Sequence, residues 1–175
     1  KKYIEVWTLG SDPRDAGSLD PFRTSTSMQE AKDITMDILS YLTNIDISDD
    51  GYSLLSDAVE KASRTKEPCI QEVINYLRHL YENKPSDISE ARFATLESLL
   101  STLETLKRDS LSMLLFGEPN QDYRVLEQDK PIQVLMIQNL NLPRKETKTL
   151  RVSHKISEAI MISITAWPKQ YMINS

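Results

Sequence analysis

Residues 131–140 read PIQVLMIQNL, and the reading of this stretch decides the fold. Val134, Leu135, Met136 and Ile137 form an unbroken apolar run, with Ile132 two places upstream. A strand with one wet face alternates apolar and polar residues. A continuous run suits a strand covered on both faces, as in a parallel sheet with helices above and below. Such a strand needs neighbours. Residues 3–9, YIEVWTL, supply one strong candidate, being rich in β-branched and aromatic side chains. Residues 123–126 read as a further short strand.

Between the two strong strands the hydrophobic period becomes helical. The stretch GSDPRDAGSLDPF, residues 10–22, is rich in Gly, Pro and Asp and reads as loop. Ser27 and Glu30 then have capping-box spacing. They introduce a helix over 28–43 with Ala31, Ile34, Ile38, Leu39 and Leu42 on one face. Ser48 reads as the cap of a second helix, whose stripe is Leu54, Leu55, Ala58, Val59 and Ala62. Pro68 fits the first turn of a third helix, lined by Ile70, Val73, Ile74, Leu77, Leu80 and Tyr81. A fourth helix, 88–108, carries Leu96, Leu99, Leu100, Leu103 and Leu106. A short one over 111–116 ends on Gly117 as its C′ residue. These stripes can be buried only against each other, so 28–116 should form a compact bundle. After the second strand and a polar connection, 154–167 reads as a helix with Ile156, Ala159, Ile160 and Ser163 on one face. Pro168 should kink or end it.

An unsatisfied backbone group at a dry sheet edge costs about 1–3 kcal/mol. Several would consume much of a net stability of about 5–15 kcal/mol. The edges of a two-stranded sheet must therefore be wet, paired with another chain, or meant for strands lying outside these residues. The last reading is favoured. The chain begins at Lys1 and reads as an excerpt of a longer one.

Apolar residues make up 39% and charged residues 27%, a globular and not a disordered balance. The net charge of −5 removes the simplest electrostatic case for nucleic-acid binding. DNA is thus a partner that the charge does not indicate. Cys69 is the single cysteine, so no internal disulfide can form, which fits a reducing cytoplasm. Neither a signal peptide nor a membrane-spanning run is visible.

A phosphate-binding loop needs glycines, then Lys, then Ser or Thr. The four glycines precede Ser11, Ser18, Tyr52 and Glu118, so that motif is absent, and with it a catalytic residue set. A Walker B strand ends on an acid, whereas Ile137 is followed by Gln138 and Asn139. These two either contact a nucleotide or water in a complete site or simply form a polar strand end. His79 and His154 lack metal-ligand neighbours and read as a helix-surface and a helix-start residue. Cys69 has no partner base. Asp12, Asp15 and Asp20 match no calcium loop and read as solvated turn and capping residues. No metal site is expected. Arg144, Lys145 and Lys148 form a small basic patch, read as a solvated loop.

Five stretches, in order, resemble the motor domain of conjugative type IV secretion ATPases, relatives of the HerA/FtsK-type RecA-like motors. They are YIEVWTLG; GSLDPF leading into EAKDITMDILSYL; the helical block; SLSMLLFGE closing it; and PIQVLMIQNLNLP with a loop leading to SHKISEAIMISITAW. The resemblance implies a mainly α chain with a small β-sheet. An all-helical subdomain, 27–117, would be inserted into part of a RecA-like α/β P-loop NTPase core. Residues 1–26 and 118–175 would belong to that core, with the P-loop upstream and the Walker B strand downstream. It implies a bacterial parent that binds ATP and magnesium and works as a homo-oligomer. That parent would be cytoplasmic, at the inner face of the cell membrane, beside secretion-channel proteins. The chain by itself would be an inactive part of that ATPase, needing its other parts. The competing class is a non-enzymatic helical protein-interaction module.

Overall fold

The computed structural model describes residues 3–10, 12–124, 132–165 and 168. Strands β1 (Ile4–Leu9) and β2 (Ile132–Ile137) pair in parallel, with Ile4 opposite Ile132 and Leu9 opposite Ile137. The two strong strands thus share one sheet, as their patterns predict. Tyr123 and Arg124 are not strand. Val125 and Leu126, the rest of that expected strand, lie outside the described residues.

The expectation that β2 is covered on both faces is corrected. Trp7 and Leu9 are buried, and Leu135 and Ile137 pack against the same core. The opposite face holds Ile4, Val6, Ile132, Val134 and Met136, each 40–54% exposed. Among the described residues, helices cover one face only, so an apolar sequence meets solvent on the other. Exposed apolar surface beside an open strand edge favours association. Weak self-association through this face is expected in sedimentation. Met136→Lys should shift the chain toward monomer while leaving its helical circular dichroism unchanged. A chain that stays monomeric at high concentration would remove the idea.

The segment after β1 is more than loop. It makes a 3-10 turn at Pro13–Asp15 and the short helix α1 (Pro21–Thr24). Helix α2 (Met28–Thr43) has the predicted bounds. Ser27 Oγ accepts from the Glu30 amide at 3.2 Å, and the Glu30 carboxylate accepts from the Thr26 amide at 2.9 Å. Asn44, at φ +55°, closes the helix. Helix α3 (Asp50–Ala62) has Asp49 and not Ser48 at its N-cap position, with no side-chain cap bond. Helix α4 (Ile70–Asn83) starts after Cys69, so Pro68 precedes it instead of opening it. Helix α5 (Glu90–Leu106) is one turn shorter than its pattern suggests, with Ser89 as its cap. Residues 111–116 form only a 3-10 turn, Ser112–Leu114. Helix α6 (Val152–Ile164) ends with Thr165 as its cap. Trp167, its predicted end, lies outside the described residues.

The predicted stripes of α3 and α5 are all buried, as are Ile156, Ala159, Ile160 and Ser163 of α6. Each fully buried leucine contributes about 1.5–3 kcal/mol of transfer free energy. The buried side chains form one cluster that runs from Trp7 and Leu9 through the helices to Ile160. The fold is therefore mainly helical, with a small parallel sheet. Helix α6 is fastened to α2 by the Tyr41 hydroxyl donating to Glu158 and by Lys155 donating to Asn44 Oδ1 at 2.6 Å. Among the described residues no helix is long and apolar enough to cross a membrane.

Candidate functional site

Parallel strands bring their carboxyl ends to one edge of the sheet, where α/β proteins place ligands. Here Leu9 and Ile137 end together. The Gln138 amide donates to Leu9 O at 3.2 Å, carrying the pairing one residue further. Asn139 follows at φ +62°, a left-handed turn residue. Both Gln138 and Asn139 are exposed, so the structure places these sequence-identified candidates at the strand end, beside Gly10.

Gly10 takes φ +98°, which only glycine adopts readily. Its amide donates to Asp15 Oδ2 at 3.0 Å, and the Asp12 amide donates to the same oxygen at 3.2 Å. Arg124 donates through Nη2 to Asp15 Oδ1 and to Thr8 O, the latter at 3.0 Å. Asp15 is fully buried, so its charge is held by an arginine and two amides. The expectation of a solvated Asp15 is corrected: Arg124, far along the chain, closes over it. Asp12 remains at the surface, paired with Arg14 at 2.8 Å. Its carboxyl is lowered to about 2 by the Arg14 side chain and amide.

A second junction lies where LDPF meets LLFG. The Gly17 amide donates to Met113 O at 2.7 Å and the Leu19 amide to Leu114 O at 2.9 Å. Asp20 then reaches across. Its Oδ1 accepts from the Phe22 amide at 3.0 Å; its Oδ2 accepts from the Ile70 amide at 2.7 Å and the Gly117 amide at 3.1 Å. It thus caps α1 locally and α4 from a distance, at a helix end that favours negative charge. This remote cap explains why α4 starts at Ile70. Asp20 takes the capping role expected of it, but it is fully buried and not solvated. Burial pushes its carboxyl up to about 7, against the pull of the three amides and of Arg23.

Arg23 donates to Glu118 O at 2.7 Å, with its guanidinium 3.9 Å over the Tyr123 ring. Gly17, at φ +69°, and Gly117 sit so close that a Cβ on Gly17 would lie 2.5 Å from the Gly117 Cα. Gly117 is not a left-handed C′ residue, because its φ is not positive. It is glycine because Asp20 and Arg23 would each approach its Cβ to 2.9 Å. Sequence spacing identifies neither the Asp20 junction nor the Asp15–Arg124 pair. The usable signal is the pair of glycines within the two short motifs.

The remaining candidates stay separate. His79 is exposed and contacts Asn83, whereas His154 Nδ1 accepts from the Arg151 amide at the start of α6. Burial raises the Cys69 thiol to about 11, which disfavours its thiolate. Among the described residues no group of His, Cys, Asp or Glu can hold a metal ion. Each glycine is followed by a residue other than lysine, so this chain lacks the Gly–Lys–Ser/Thr cradle for nucleotide phosphates.

Comparison with curated proteins and with solved structures finds no match. Comparison with protein families matches residues 1–175 to the AAA-like domain. The parallel strand pair, joined at its carboxyl ends and packed on helices, accords with that match, and the chain belongs to the AAA-like domain family of P-loop ATPases.

Proposed function

We propose that this chain is the middle of the motor domain of an ATP-driven transfer protein of the conjugative type IV secretion class. The observation that carries this reading is the parallel strand pair, apolar on both faces but covered on one. In a complete core, further elements of the same ATPase would cover the exposed face and supply the phosphate loop and the Walker B acid. Residues 1–26 and 118–175 would be core, and 27–117 the inserted helical subdomain. Gln138 and Asn139 are this chain's contribution to the nucleotide site. The parent binds ATP with magnesium, assembles as a homo-oligomer and lies at the inner face of the membrane against channel proteins.

Alone, the chain lacks a phosphate cradle. Calorimetric titration with magnesium–ATP is expected to give no micromolar binding, and no turnover should survive purification. Extension by the flanking reading frame should restore both, with a P-loop upstream and an Asp-Glu-terminated strand downstream. Tight binding to the chain alone would mean that it holds a phosphate site of its own, and flanks without those motifs would return the helical interaction module as the better reading.

A further inference from the structure

We propose that residues 142–155, the connection from β2 together with the first turn of α6, form a docking surface for an anionic phospholipid bilayer. This inference deepens the proposed position at the inner face of the membrane and rests on that reading together with the local side chains. Arg144, Lys145, Lys148, Arg151 and Lys155 face only Glu146 as an acid within the segment, in a chain whose net charge is −5. The first four are exposed, and none pairs with a carboxylate among the described residues. Lys155 is engaged by Asn44 Oδ1 and is not counted as free.

Leu142, Leu150 and Val152 are 42–47% exposed and flank the cations along the chain. Isolated exposed apolar residues are ordinary. Three of them interleaved with four unpaired cations form a combination suited to a lipid headgroup boundary, which takes both charge and apolar side chains. The segment contains no Phe, Tyr or Trp on which a base could stack, which disfavours a single-stranded nucleic acid as occupant.

The segment is also held in place. The Asn141 amide donates to Ser157 Oγ at 2.9 Å, and Asn141 Nδ2 contacts Ser153 Oγ at 3.0 Å. Within it, the Thr147 amide donates to Arg144 O and the Arg144 amide to Thr147 Oγ1, each at 2.9 Å. The start of the segment is therefore fastened to α6 through Asn141, its end runs into α6, and a tight turn from Arg144 to Thr147 holds Lys145 with Lys148 next to it. Preorganised cations lose less ordering entropy on binding than those of a free tail.

The test is co-sedimentation of the chain with vesicles of phosphatidylcholine, alone or mixed with phosphatidylglycerol. Binding is expected only to the mixed vesicles and should weaken with salt. The variant carrying Arg144→Glu, Lys145→Glu and Lys148→Glu should lose more than about tenfold in affinity. Leu142→Ser with Leu150→Ser should weaken binding while leaving its salt dependence. Circular dichroism identifies folded variants, and Lys145→Glu or Lys148→Glu alone replaces the triple variant if that unfolds. Absence of binding to mixed vesicles, or equal binding by the folded charge variants, overturns the proposal. So does tighter binding of a single-stranded oligonucleotide that needs the cations and ignores the leucines.

Discussion

Asp20→Ala is expected to cost about 3–5 kcal/mol of folding stability, because it strands three amide donors inside the protein. The donors belong to Phe22, Ile70 and Gly117, which lie on separate segments. Losses of this size approach the net stability of many domains, about 5–15 kcal/mol. Urea denaturation followed by circular dichroism measures the change; a loss below about 1 kcal/mol would mean that water or a neighbour satisfies the amides instead. The same residue sets a pH dependence. Its carboxyl is raised from 3.8 to about 7 by burial. A raised acid contributes stability that is fully present below its unfolded value and is lost as pH rises through its folded value. Comparison with Asp20→Asn isolates this contribution from other carboxylates. The stability of the native chain relative to that variant should fall between about pH 4 and pH 7, by on the order of 2–4 kcal/mol. A difference that is flat or rises over that window would show that the amides and Arg23 hold Asp20 ionised.

Gly17→Ala should be nearly as damaging, at about 2–4 kcal/mol, combining left-handed strain with overpacking. The new Cβ would stand 2.1 Å from Arg23 Nη1 and 2.5 Å from the Gly117 Cα. Arg23 is a side chain that can swing aside, but the Gly117 backbone is fixed by the Asp20 and Gln71 hydrogen bonds. Gly10→Ala is the matched control. Gly10 also has positive φ, but nothing comes nearer than 3.8 Å to its Cβ, so only the conformational cost of about 1–2 kcal/mol applies. Equal losses in the two variants, measured by denaturation, would mean that close approach adds nothing.

The legible parts of this fold are those set by local rules. The bounds of α2 and β2 follow from a cap signal and from an apolar run, both read within a few residues. The buried stripes of α3 and α5 follow from helical spacing. The failures have a common cause. Ser48 and Pro68 satisfy local rules for helix starts, yet α3 begins after Asp49, whose carboxylate accepts from the Asp46 amide, and a carboxylate fifty residues away caps α4. Asp15 and Asp20 look like ordinary turn residues until Arg124, Ile70 and Gly117 are brought to them by the fold. The second face of β2 is apolar in the sequence, but its exposure depends on which elements stand over it. At the candidate site, the sequence singled out Gln138 and Asn139 because they end an apolar run. The half-buried network beside them spans Gly10, Asp15 and Arg124, which have no periodic relation.

The parallel register also bears on how the chain assembles during synthesis. Ile4 has to meet Ile132, and the backbone between them is nearly all helical block. Ribosomes add about 5–20 residues per second, so the first strand waits on the order of ten seconds before its partner exists. Two strands alone cannot repay the entropy of closing so long a loop. Contacts among successive helices close shorter loops and can form earlier. Once Gly17 and Leu19 are bonded to Met113 and Leu114, the distant stretches are held near one another. The remaining closure is then from residue 114 to residue 132, a far smaller entropic step. The helical block acts as a scaffold for late strand pairing, so the sheet waits on helices that lie between its strands, and only α6 is made after it.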